Sequence, residues 1–120
     1  MTVTVVIEPP CAFINANERP HYREKAKLTK AWRTAAADAI NAGFFPDHYE
    51  RAHITIHYRL ADNRRREVSN LHPTSKAICD GIVDAQLIPD DSDAHVIGPD
   101  NRREWPNGTP RVTVTIEEIP

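Results

Sequence analysis

Polar and β-branched residues alternate from Thr2 to Glu8 until Pro9-Pro10 ends the run, and this period of two predicts a first strand. Cys11–Leu28 has no apolar period and predicts an ordered loop rich in polar and basic groups. From Thr29 to Ala42 the period changes. Trp32, Ala35, Ala36, Ala39 and Ile40 fall on one helical face, with Thr29 placed to cap the helix and Gly43 to stop it. Alternation returns over His53–Leu60, with Ile54, Ile56 and Tyr58 on one face and His53, Thr55 and His57 on the other. Ala61–Asn70 predicts a polar loop. Pro73 suits a first helical turn, and Ile78, Cys79, Ile82 and Ala85 mark the buried stripe of a second helix running to about Ala85. Ala94–Gly98 predicts a short strand and Asn107-Gly108 a turn. Arg111–Glu117 predicts a last strand with Val112, Val114 and Ile116 facing inward. The order β-α-β-α-β-β predicts an α/β fold of the α+β type, a small mixed sheet with two packed helices, as one domain over residues 1–120.

Composition agrees with such a domain. A chain of 120 residues that is 40% hydrophobic, with a mean hydropathy of −0.54, can bury a core without staples. No apolar run approaches the roughly 20 residues of a membrane helix. The opening MTVTVVIEPP lacks the basic start of a signal peptide, so the expected location is the cytoplasm. Cys11 and Cys79 match no paired motif and are expected as free thiols.

A net charge of −2 does not by itself suggest nucleic acid, but the charges are segregated. Arg19, Arg23, Lys25, Lys27, Lys30 and Arg33 share one stretch, Arg64, Arg65 and Arg66 are consecutive, and Arg102-Arg103 form a third cluster. Acids gather over Asp80–Asp93 and at Glu117-Glu118. That pattern suits a surface that grips phosphates around an acidic centre.

Three places could carry chemistry. Arg64–Asn70 joins a strand to a helix start, where anions bind well. Its arginines suit phosphates, and Glu67 and Asn70 offer oxygen ligands. Asp90, Asp91 and Asp93 follow the second helix, where acids oppose the helix dipole. Adjacent carboxylates there suit a hard cation such as Mg²⁺, which needs only one or two of them beside substrate phosphate. Lys76, expected in the first turn of the second helix, is placed to neutralise a phosphate oxygen. His53 and His57 do not form a metal pair, because on a strand they lie about 13 Å apart.

Taken in order, these pieces carry a resemblance. The stretch RRREVSNLHPTSKAICDGIVDAQLIPDDSDAHV is similar to the core motif of RusA-type Holliday junction resolvases, through Asn70-Leu71, Lys76, Asp80-Gly81-Ile82 and Asp90-Asp91. Upstream, Pro9-Pro10, Asn15 or Asn17, Arg19, His21-Tyr22-Arg23 and Lys25 resemble the family's amino-terminal elements, and RVTVTIEEI resembles its final strand. The resemblance implies a homodimeric, Mg²⁺-dependent (or Mn²⁺-dependent) endonuclease that cuts four-way DNA junctions, of the kind phages and prophages encode. It implies Glu67, Asp91 and Lys76 as catalytic residues and Glu67, Asp90 and Asp91 as metal ligands. It further implies Arg19, Arg23, Lys25, Lys27, Arg64–Arg66, Asn70, Arg102 and Arg103 as DNA contacts. The chain departs from the family at Ser69, which stands where the motif has its second Asp, and at Glu67, which stands where it has its first.

Two expectations follow. One is a structure-selective nuclease in DNA recombination and repair. The other is a protein on the same fold that binds branched DNA or a host protein without cutting. Helix length also raises the question of site sharing. About 13 residues of helix span roughly 20 Å between Glu67 and Asp91, which favours a site completed by the partner's Asp90 and Asp91 across a two-fold axis, although a chain reversal after the helix would complete it within one subunit.

Overall fold

The structure is a computed structural model and describes residues 1–43, 45, 48–62 and 67–120. Its elements follow the expected order: β1 (Thr2–Ile7), α1 (Tyr22–Ala42), β2 (Ala52–Arg59), a 3-10 turn η1 (Val68–Leu71), α2 (His72–Asp84), β3 (Val96–Glu104) and β4 (Arg111–Glu118). The strands form one mixed sheet in the order β1-β4-β2-β3. Strand β4 runs antiparallel to both β1 and β2, while β2 and β3 are parallel and joined through α2. The domain is therefore a small α+β fold with two helices on a four-stranded sheet.

Alternation dictates which face is covered. Val3, Val5, Ile7, Ile54, Ile56, Tyr58, Val112, Val114 and Ile116 are buried on one face. They meet Trp32, Ala36 and Ile40 of α1 and Ile78, Cys79 and Ile82 of α2 in one core. Both predicted helical stripes are thus the buried ones. No helix among the described residues is long and apolar enough to cross a membrane, and both cysteines are free.

Three boundaries differ from the sequence reading. Helix α1 begins at Tyr22, not Thr29, with the His21 side chain accepting from the Arg23 N–H. Residues 21–27 are exposed all round, so no apolar period marks them, but Arg, Glu, Lys and Ala are good helix formers. Thr29 is consequently mid-helix and donates its hydroxyl to the Lys25 carbonyl at 2.8 Å. Strand β3 extends to Glu104, well past Gly98. It is an edge strand, its register against β2 shifts between His53 and Thr55, and Pro99 is tolerated at that irregularity. At the shift Gly98 has φ +99, and a Cβ there would lie 2.6 Å from the Ile54 carbonyl oxygen, which only glycine avoids.

Candidate functional site

The site is built around the first half of α2. Ser75 is fully buried; its hydroxyl lies 2.6 Å from the Tyr58 hydroxyl and donates to the Asn101 side-chain oxygen at 2.7 Å. Asn101 in turn donates to the Val68 carbonyl at 2.9 Å. This chain of polar groups locks η1 and the start of α2 onto β2 and β3, every member satisfied in a dry environment. On the other side, Thr74 bridges both backbone groups of Ile14, at 2.8 and 3.0 Å. The Ala16 N–H also donates to the Asn70 carbonyl at 2.8 Å.

The η1 turn is therefore clamped between the amino-terminal segment and β3. That arrangement sets Asn70 against the segment that leads to the basic start of α1. Asn70 lies in the turn. Arg19, Arg23, Lys25 and Lys27 are exposed on the segment that leaves Ala16 and enters α1, and exposed Arg102 follows Asn101 on β3. Arg103 is less available, since its Nη2 donates to the Asp62 carbonyl and the Asn107 side chain. Arg64, Arg65 and Arg66 lie outside the described residues. Glu67 precedes η1 with an exposed side chain that makes no capping bond. Ser69, in the second Asp position of the resembling motif, is exposed beside it.

Lys76 sits at the fifth residue of α2, in its second turn rather than its first. Its Nζ donates to Asp80 Oδ1 at 2.7 Å and also to Asp91 Oδ2. These two carboxylates, led by Asp80, raise the Lys76 pKa. Lys76 in turn holds the Asp91 carboxyl below the usual carboxylate range. Beside them Arg33 of α1 forms a two-pronged pair with Asp84, at 2.5 and 2.7 Å. Asp84 first, then Asp80 and Asp91 at longer range, raise the arginine's pKa.

Lys76 and Asp91 meet within one chain, so for this pair the chain reversal after the helix, the alternative to a site shared between subunits, is the one observed. The reversal comes at Gln86, whose φ is +66. The N–H of Gln86 donates to the Val83 carbonyl and that of Leu87 to the Ile82 carbonyl. This pairing is the Schellman pattern, in which a left-handed residue turns the chain back and satisfies the last carbonyls. Leu87 and Ile88 are then buried, and the chain returns along α2 to place Asp91 beside Lys76.

Asp80 is the member that sequence reasoning passed over as a ligand. Its four-residue spacing from Lys76 on one helix was the available signal. Among the described residues no three His, Cys, Asp or Glu side chains gather closely enough to hold a metal. Asp90 is exposed next to Asp91. The two carboxylates that do converge, on a single cationic nitrogen, are Asp80 and Asp91. Two carboxylates are enough for Mg²⁺ when waters and substrate phosphate complete its shell. No protein-family model matches this chain, and no curated protein matches it in sequence.

Proposed function

We propose that the protein is a RusA-type resolvase: a structure-selective endonuclease that hydrolyses phosphodiester bonds in branched DNA with Mg²⁺ or Mn²⁺. The observation that carries the reading is the meeting of Lys76, Asp80 and Asp91 along one side of α2, which matches the motif's lysine and two of its acids. Asp91 and Asp80 would hold the cation, with Asp90 adjacent. When bound, the cation lowers the pKa of a water and neutralises charge on the phosphate. Lys76, whose ammonium reaches both carboxylates, would also be placed to neutralise charge on the phosphate oxygens. Glu67 and Asn70 on the clamped η1 turn would position the strand. Arg19, Arg23, Lys25, Lys27, Arg64–Arg66 and Arg102 would hold the junction arms through phosphates, a sequence-independent and salt-sensitive grip. The full enzyme in this reading is a homodimer acting in recombination and repair in the cytoplasm.

The second reading, a branched-DNA or host-protein binder that does not cut, is favoured by one feature. Ser69 brings no charge where the motif has a carboxylate. A nicking assay on a synthetic four-way junction decides between them. The nuclease reading expects Mg²⁺-dependent cutting that falls at least a hundredfold in Asp91→Asn, with Ser69→Asp raising it. Junction binding without cutting at any Mg²⁺ or Mn²⁺ concentration, in wild type and in Ser69→Asp, would establish the binder.

A further inference from the structure

The chain's two tryptophans have opposite fates: Trp32 is 0% exposed in the core, while Trp105 is 64% exposed at the end of β3. Trp105 is not loose. The Arg103 guanidinium lies 4.3 Å from its ring centroid. Arg103 is itself held by the Asp62 carbonyl at 2.9 Å and the Asn107 side chain at 2.6 Å. Its Nε is buried with no hydrogen-bond partner among the described residues. The exposed indole takes no part in the core and needs another account.

Position suggests one. Asn101, four residues earlier on β3, is bonded to η1, so Trp105 stands roughly 13 Å along the strand from the proposed DNA surface. Arg102 projects from the opposite, open face of the strand, beside His57. The acids two residues to either side of Arg102 are both paired, Asp100 with His53 at 2.6 Å and Glu104 with Arg111 at 3.0 Å.

We propose that Trp105 is a stacking platform for an unpaired nucleobase, with Arg103 fixing one face of the indole. The inference rests on the reading of this domain as a binder of branched DNA, where bases at the crossover can leave the helix. Stacking is tolerant of sequence because every base has a π face.

The test uses the protein's own emission, since Trp105 is the exposed fluorophore and Trp32 the shielded one. Oligo(dT) and a synthetic four-way junction are titrated at fixed low salt into the full chain, Trp105→Ala and Trp105→Phe. Thermal melts confirm that each variant folds, as an exposed side chain allows. The expectation is quenching that tracks binding in wild type. Trp105→Ala should bind oligo(dT) between about fivefold and about a hundredfold more weakly, and Trp105→Phe should keep most of the affinity. Unquenched binding with Trp105→Ala at wild-type affinity overturns the inference, as does wild type that fails to bind oligo(dT). A concentration-dependent emission change without DNA overturns it too, and marks Trp105 as a contact between copies of the chain. Cutting is scored separately: quenching without cutting leaves the platform and removes the nuclease, while cutting without quenching does the reverse.

Discussion

Gly81 lies in the middle of α2, where glycine is ordinarily about 1 kcal/mol worse than alanine, so Gly81→Ala would stabilise an isolated helix. The packing reverses that sign. A Cβ at Gly81 would sit 2.3 Å from the Arg33 carbonyl oxygen, 2.7 Å from the Ala36 Cβ and 3.1 Å from the Ala37 nitrogen. Two of these three atoms are helix backbone and cannot rotate away, so α1 and α2 must separate by roughly 1 Å to restore ordinary contact at about 3.5 Å. Inserting a methyl group into a packed core typically costs about 1–3 kcal/mol, and an unyielding backbone puts this site at or above the upper end. Subtracting the propensity gain leaves a net loss near 2 kcal/mol. For a chain of this size that lowers Tm by roughly 6–12 °C. Urea unfolding followed by circular dichroism measures it, with Gly108→Ala as the control. The three atoms nearest a Cβ at Gly108 all belong to the Arg59 side chain, at 3.3 Å and beyond, so that variant should stay within about 0.5 kcal/mol of wild type. A Gly81→Ala protein as stable as wild type, or more so, would refute the close helix crossing. The same separation would draw Arg33 away from Asp84 and its neighbour Asp80, so junction cutting should weaken along with stability.

Gln86 is exposed and holds a left-handed backbone that costs a non-glycine residue roughly 1 kcal/mol; Gln86→Gly should therefore raise the unfolding free energy by up to that amount, seen as a higher urea midpoint, and a lower midpoint would speak against the reversal after α2. Burial, chiefly, pushes the Cys79 thiol up from 9.0 to about 12. Between those pH values unfolding releases a proton that the folded thiol keeps, so stability should fall as pH rises through the window. In native protein at pH 8 a thiol reagent should modify Cys79 only after unfolding, and Cys11 first; equal rates at the two sites would contradict the buried placement.

The strands and the buried helical stripes were legible because alternation and the 3.6-residue period are direct consequences of having one covered face. Ile54, Ile56 and Tyr58 could be assigned inward from sequence because β2 has one covered face and one open one. The first two turns of α1 left no such trace: a helix exposed on every side has only propensity to announce it. Strand β3 was cut short for a related reason. At the sheet edge its residues from Ile97 to Glu104 are exposed or half-buried without strict alternation, and Gly98-Pro99 reads as an end when it is an irregularity.

The candidate site was legible in its residues but not in its assembly. Lys76 and Asp91 stood out chemically, yet the length of the helix between Glu67 and Asp91 favoured a site shared between subunits over a chain reversal within one. Lys76 lies only eight residues before the end of α2, a rise of about 12 Å. The return path begins at a glutamine, where the usual glycine signal for a left-handed residue is missing. Once Gln86 turns the chain, Leu87 and Ile88 are driven to bury their side chains against the core, and that burial draws the following acids back along the helix. The placement of Asp91 is thus a consequence of two apolar residues three and four positions upstream. A lysine with two carboxylates at hand then keeps both anions tolerable until a stronger cation competes for them. For that reason Asp80 and Asp91, rather than Glu67 and Asp90, are the pair whose removal should tell first whether this surface cuts DNA.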